Sequence, residues 1–152
     1  MKDFHFKQFS VAQNEDVFRV GTDAVLLGAL SSIEYLENIL EVGSGSGIIS
    51  LMLAQRSKSA DILAIDIDEN ASKLSELNFK NSPFSERLNF KNIDFKELPS
   101  SKKFDLIICN PPYFEVTLQS DKDKVARQKI HLNFSELISN ASRVLDDKGI
   151  FS

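Results

Sequence analysis

The sequence is poor in the residues that staple or anchor proteins. One cysteine in 152 residues excludes an internal disulfide framework and suits a reducing cytoplasm. That cysteine and two histidines, widely scattered, make no metal-ligand set. No apolar run approaches the length of a membrane span, and the opening MKDFHFKQF lacks the apolar middle of a signal peptide. There is no surplus of positive charge either. With 18 basic against 22 acidic residues the net charge is −4, so any nucleic-acid contact must use a local basic patch. What remains is 42% hydrophobic and 26% charged, the composition of one soluble globular domain large enough for a proper core.

Phe4 and Phe6 alternate with His5 and Lys7 as in a short strand, and residues 17–20 read as a second extended piece. The two are expected to pair as a lid. Gly21 then permits a turn, Thr22 is placed to cap a helix, and Asp23 suits its first turn. That helix, residues 24–30, is apolar on nearly every side and is expected to be buried. Beyond it, strands at 38–42, 61–67, 88–93 and 104–109 alternate with helices at 48–55, 69–81 and 132–145. Gly149 should end the last helix, and a fifth strand should begin at Ile150. Such alternation means an α/β domain, a mostly parallel doubly wound sheet with helices on both faces. Residues 1–152 are thus expected to form a single domain, with a lid and helix over 1–37 and a core over 38–152. That core is expected to be truncated within its fifth strand, since a bare parallel edge would otherwise be exposed.

The most constrained stretch is FDLIICNPPY, residues 104–113. Its apolar run reads as a strand buried on both faces, with Cys109 a core residue. The strand stops at Asn110 because Pro111 and Pro112 cannot donate ladder hydrogen bonds and hold their predecessor extended. Asn110 is therefore presented at the carboxyl end of a strand, where open α/β sheets bind ligands. Asn110 Oδ1 and the Pro111 carbonyl can accept the two hydrogens of a planar amino group while Tyr113 covers its face. The alternative is a rigid turn after a core strand.

Upstream, Glu41-Val42-Gly43-Ser44-Gly45-Ser46-Gly47 leads from one strand into a helix. A dinucleotide fingerprint needs its third glycine one residue later, where Ile48 stands, and no lysine follows as a P-loop requires. The spacing, with Glu41 before it, resembles the loop of class I S-adenosylmethionine-dependent methyltransferases, which have a Rossmann-like fold. That resemblance implies S-adenosylmethionine as cofactor, S-adenosylhomocysteine as product, and no metal. Asp66 lies nineteen residues after Gly47 at the end of the second core strand, where an acidic side chain holds ribose hydroxyls. Asp68 competes for that role, but Asp66 leaves Ile67 free to lie against the adenine. Asp94, ending the third core strand, would bond the adenine amino group or serve as a turn residue. Glu41 either meets the cofactor's amino-acid end or organises the loop, and the sequence does not separate the two.

The N-P-P-Y motif in this setting resembles methyltransferases that modify an amide or exocyclic amino nitrogen. FKQF at 6–9, VGTDAVLLGA at 20–29, NPPYF at 110–114, and Ala126, Arg127 and His131 look like the bacterial tRNA (adenine-N6)-methyltransferases acting beside the anticodon of valine tRNA. That resemblance implies a tRNA partner, a cytoplasmic location, no membrane and no obligatory protein partner. It would set Thr22 and Asp23 near the cofactor's methionine end, and Tyr113, Phe114, Arg127 and His131 near the acceptor. Lys122, Lys124, Arg127 and Lys129 form a strip able to meet phosphates. Three alternatives stand beside it. A release-factor glutamine methyltransferase shares the motif but carries a helical N-terminal domain, for which about forty residues are too few. A cofactor-binding scaffold without activity is the second, and a DNA adenine methyltransferase without a target-recognition domain the third.

Overall fold

The computed structural model describes residues 2–17, 19–111 and 134–152. The chain opens with a small antiparallel hairpin, β1 (Phe4–His5) on β2 (Ser10–Val11). Residues 17–20 were the expected partner of the first strand, but Val17, Arg19 and Val20 form no strand. Two extended segments pair only where their ladders meet, and here the nearer segment claims β1. Phe6, Phe9 and Phe84 stack beneath the hairpin, Phe6 on Phe9 at 4.6 Å and Phe9 edge-on to Phe84 at 6.2 Å.

Helix α1 (Thr22–Leu30) follows. Its N-cap is Gly21 in an extended conformation, without a side-chain cap, so Thr22 lies inside the helix rather than capping it. The helix is also less buried than its composition implies. Ala24 and Gly28 are buried, whereas Leu26 and Leu30 are 53% and 78% exposed. Burial depends on what lies opposite a face, and Val25 and Leu27 also pack, partly buried, against the core while Leu26 and Leu30 do not. A side chain at Gly28 would collide with Met52 Sδ at 2.9 Å, so glycine there lets α1 rest closely on the following helix.

The remaining strands, β3 (Asn38–Val42), β4 (Asp61–Asp66), β5 (Leu88–Asn92), β6 (Phe104–Cys109) and β7 (Leu145–Phe151), form one parallel sheet in the order β5-β4-β3-β6-β7. Helices α2 (Ile48–Arg56), α3 (Glu69–Lys80) and α4 (Phe134–Val144) connect or flank them. Successive strand residues feed two separate cores. Ile39, Ile62, Ala64, Leu106 and Ile108 pack with α1, α2 and α3, while Leu40, Val42, Leu63, Ile65 and Ile107 pack with α4. This two-sided burial is why the central strands are continuously apolar. The expected α/β doubly wound class is what the structure shows.

β7 starts earlier than the sequence pattern implies. It begins at Leu145 directly after α4, and Gly149 lies within it. Between the pairs Phe104↔Leu145 and Leu106↔Ile150 the register shifts, so the polar residues Asp146–Lys148 are extra chain looped into an irregular strand. A Cβ at Gly149 would stand 3.0 Å from the Asp146 carbonyl, which explains glycine there.

The chain runs outward from β3 to β4 and β5, then returns to place β6 on the other side of β3. Such a reversal opens a crevice at the carboxyl ends of the two strands. Val42 pairs with Cys109, so the glycine loop and Asn110 leave the sheet side by side.

Asn78 of α3 fastens the N-terminal segment to this region. Its Oδ1 accepts the Ala12 N–H at 2.8 Å, and its Nδ2 donates to the carbonyls of Ala12 at 3.1 Å and Ser46 at 2.8 Å. Asn78→Ala leaves these groups without partners and should destabilise the fold by about 1–3 kcal/mol. Urea unfolding measures the loss, and limited proteolysis should cut the N-terminal segment faster. A variant with the parental midpoint and cleavage rate would show that the tether carries no weight.

Candidate active site

The loop after β3 has a tight course. Gly43 and Gly47 have φ of +75° and +77°, a region only glycine enters freely. At Gly47 a Cβ would also lie 2.5 Å from the Phe79 ring. At Gly43 nothing stands within 4 Å of that position, so the outer side of the loop is open.

Four of the loop's backbone donors are already committed. Gly43 and Ser44 both donate to the Ile65 carbonyl, at 2.9 and 3.1 Å, and Gly47 donates to the Ser44 carbonyl at 2.7 Å. Gly45 donates to Asp66 Oδ2 at 2.9 Å. A phosphate-binding loop turns such N–H groups outward. This one turns them inward, toward a strand end and a carboxylate.

Glu41 does for α2 what its N-cap cannot. Gly47 has no side chain to cap with, and Glu41 Oε2 instead accepts the Ser50 N–H at 3.1 Å and the Ser50 hydroxyl. The side chain is 1% exposed, and its Oε1 has no partner among the described residues. Burial pushes its pKa up to about 8, against the opposing pull of the Ser50 bonds.

Asp66 and Asp68 separate cleanly. Asp68 caps α3, accepting the N–H groups of Asn70 and Ala71 at 2.7 and 2.9 Å. Asp66 faces the loop, with Oδ1 accepting the Asp68 N–H at 2.9 Å and Oδ2 the Gly45 N–H, and burial raises its pKa. Each oxygen keeps a lone pair for a further donor. Ile67 beside it is 68% exposed, an apolar side chain standing out at the strand end. Asp94 lies beyond β5, where it accepts the Lys96 N–H at 3.0 Å and pairs with Lys96 Nζ at 3.3 Å.

Across the crevice, Asn110 follows β6 and its Nδ2 donates to Asp23 Oδ2 at 3.1 Å. That bond, before all else, holds the Asp23 carboxyl below the ordinary carboxylate range. Thr22 is exposed at the start of α1. Cys109 is buried and its thiol is pushed up to about 12 by burial, so it is a core residue and no nucleophile. Pro112, Tyr113, Phe114, Arg127, His131 and the lysines of the basic strip lie outside the described residues.

Three residues at this site escaped the sequence pattern: Ser50, Ser75 and Asn78. Ser75 Oγ donates to the Gly45 carbonyl at 2.9 Å and lies 3.0 Å from Ser44 Oγ. The signal was present, since Ser72, Ser75 and Asn78 recur every third residue as a buried polar row along α3.

A hollow of about 400 Å³, lined by residues including Ile33, Leu36 and Arg56, lies at the amino ends of β3 and β4. It is on the wrong side of the sheet for the crevice chemistry. Glu41 lies buried beneath the loop, Asp66 ends β4 and Asp23 stands in the first turn of α1, and none forms an ion pair among the described residues. The acceptor oxygens of Asp66 favour a partner that donates hydrogens and disfavour phosphate.

Strand order, a glycine loop at the reversal point and an acidic residue closing the neighbouring strand define a Rossmann-like domain of the methyltransferase type. Solved methyltransferases share the fold. A ribosomal protein L11 methylase from Lactobacillus delbrueckii superposes with a TM-score of 0.60 at 19% identity, over 93% of this chain and 60% of that one. A methyltransferase from Thiobacillus denitrificans, solved with S-adenosylhomocysteine, gives 0.64 at 18% identity, over 87% and 47%. The profile of the Methyltransferase small domain matches residues 9–152, and the chain belongs to that family. It is 50% identical over 151 residues to a tRNA1(Val) (adenine(37)-N6)-methyltransferase of Flavobacteriaceae bacterium strain 3519-10, covering 99% of this chain and 65% of the relative. A Flavobacterium psychrophilum protein of the same name is 42% identical over 98% of this chain and 66% of its own length. The chain thus spans just under two thirds of these relatives.

Glu41 gives the site a pH signature. Because the folded pKa is raised from 4.5 to about 8, the stability this group contributes is complete below about pH 4.5 and is lost as pH rises to about 8. Glu41→Gln carries no such proton. Urea midpoints should show the variant gaining on the parent between pH 5 and pH 8. A constant difference across that range would place the titration elsewhere.

Proposed function

We propose that this protein transfers the methyl group of S-adenosylmethionine to the exocyclic N6 of an adenine in a tRNA anticodon loop, in the cytoplasm. The observation that carries this is the inward turn of four glycine-loop donors beside the Asp66 carboxyl, which suits the hydroxyls of a nucleoside rather than a phosphate. The residues present fit such a cofactor. Asp66 has lone pairs left for the ribose hydroxyls, Ile67 offers an apolar face to the adenine, and Glu41 Oε1, with no partner among the described residues, can take a donor from the amino-acid end. When bound, the cofactor supplies a methyl group activated by a sulfonium, which leaves as a neutral thioether. The match to relatives named for adenine(37)-N6 methylation, over nearly all of this chain and about two thirds of theirs, supports the acceptor.

The chain's own part is positioning. An adenine amino group is a weak nucleophile because its lone pair is delocalised into the ring. Asn110 Oδ1 and the Pro111 carbonyl accept its two hydrogens and favour a geometry in which the lone pair points at the methyl carbon. No general base is required, because the surplus proton can pass to water after the new N–C bond has formed. Fixed dipoles and alignment do the work.

Asp66→Ala should weaken S-adenosylhomocysteine binding by about ten- to a hundredfold, read by calorimetry, since two hydroxyls lose a charged acceptor. Unchanged affinity would remove Asp66 from the cofactor.

With labelled methyl groups, unmodified tRNA should become labelled and release factor should not. Asn110→Ala should abolish most single-turnover transfer, by at least about a hundredfold, while leaving cofactor affinity in place. Label on release-factor glutamine with tRNA blank would turn the function to that acceptor.

A further inference from the structure

Asn110 poses a problem that shape does not solve. Its carboxamide can turn end for end with almost no change in volume, yet only one rotation places an acceptor before an amine. The reversed rotation presents two hydrogens to two hydrogens. Something must choose, and no apolar packing can.

We propose that Asp23 is the positioning residue that makes this choice: its carboxylate holds Asn110 Nδ2 and so turns Oδ1 toward the acceptor. The inference rests on the methyltransferase reading above and deepens it. The two side chains are 87 positions apart in sequence and meet at 3.1 Å. An ionised carboxylate has lone pairs and no hydrogen, so only the nitrogen end of an amide can face it. The Asn110 bond, helped by the Ala24 N–H, lowers the pKa of that carboxyl below its ordinary range. Placement in the first turn of α1 favours negative charge as well.

The helix carrying Asp23 is fixed at its other end. Arg56 of α2 donates from Nη1 to the Gly28 carbonyl and from Nη2 to the Ser31 carbonyl, both at 2.8 Å. With close packing at Gly28, this leaves α1 little freedom to slide along α2. The first turn is thereby aimed at the end of β6. Asp23 is a device for setting one rotation of one amide.

The test compares two replacements chosen against each other. Asp23→Asn keeps the shape but can accept from Nδ2 or donate to Oδ1, leaving both rotations open. Asp23→Glu changes the shape but keeps an acceptor-only charge. Asp23→Asn should lower single-turnover methyl transfer to tRNA by about two- to tenfold, with cofactor and tRNA dissociation constants within about twofold of the parent. Asp23→Glu should retain more of the rate than Asp23→Asn. In nitrogen-15 spectra the Asn110 side-chain amide, identified by its loss in Asn110→Ala, should shift in Asp23→Asn. Equal rates in parent and Asp23→Asn, a better rate in Asp23→Asn than in Asp23→Glu, or a loss matched by weaker cofactor binding would each overturn the assignment. So would an unmoved amide signal. The spectrum needs no substrate. A parent that leaves tRNA unlabelled would therefore count against the proposed function, while a shifted signal would still support the hold of Asp23 on Asn110.

Discussion

Strand β3 and helix α2 are joined through five residues that must reverse the chain and still start a helix. Glycine makes the reversal possible but leaves the helix without a capping side chain. Glu41, one residue before the end of β3, fills that gap from below by taking both donors of Ser50. The bond lies in the buried interior, where one oxygen has no partner among the described residues. Desolvating a carboxyl group is unfavourable, and the structure accommodates it by favouring the protonated form. The course of the loop, the start of α2 and the crevice beside β6 all follow from this one fixed point.

Electrostatics then decides what the crevice admits. A helix N-terminus and a glycine loop usually invite anions, because their N–H groups point outward. Here Ile65, Ser44 and Asp66 absorb four loop donors, and Glu41 absorbs the Ser50 N–H in the first turn of α2. The Asp66 carboxyl closes β4 beside the loop. Glycine loops that look alike in a sequence therefore differ in the direction of their donors, and direction selects the ligand.

Much of this could be read from the sequence because the sheet interior is written in apolar runs. Phe104–Cys109 and Asn38–Val42 came out with the bounds their composition implied, and the loop glycines occupy the turn they imply. What could not be read depended on partners distant in sequence. Val17 looks extended, but nothing in its own residues says that Ser10–Val11 will take β1 first. Leu26 and Leu30 are as apolar as any core residue and yet lie exposed, because the close contact of α1 is made by Gly28. Asp146–Lys148 reads as a turn and is an irregularity in a strand. At the site, spacing alone left Asp66 and Asp68 as rivals. In the structure Asp68 caps α3 while Asp66 faces the glycine loop.

Asn78 gives the N-terminal segment a bearing on the crevice that distance alone would not. One amide serves Ala12 and Ser46 at once, so the strap and the glycine loop share a common restraint. A single amide thus carries both attachments, and a change at position 78 frees Ala12 and Ser46 together rather than one at a time.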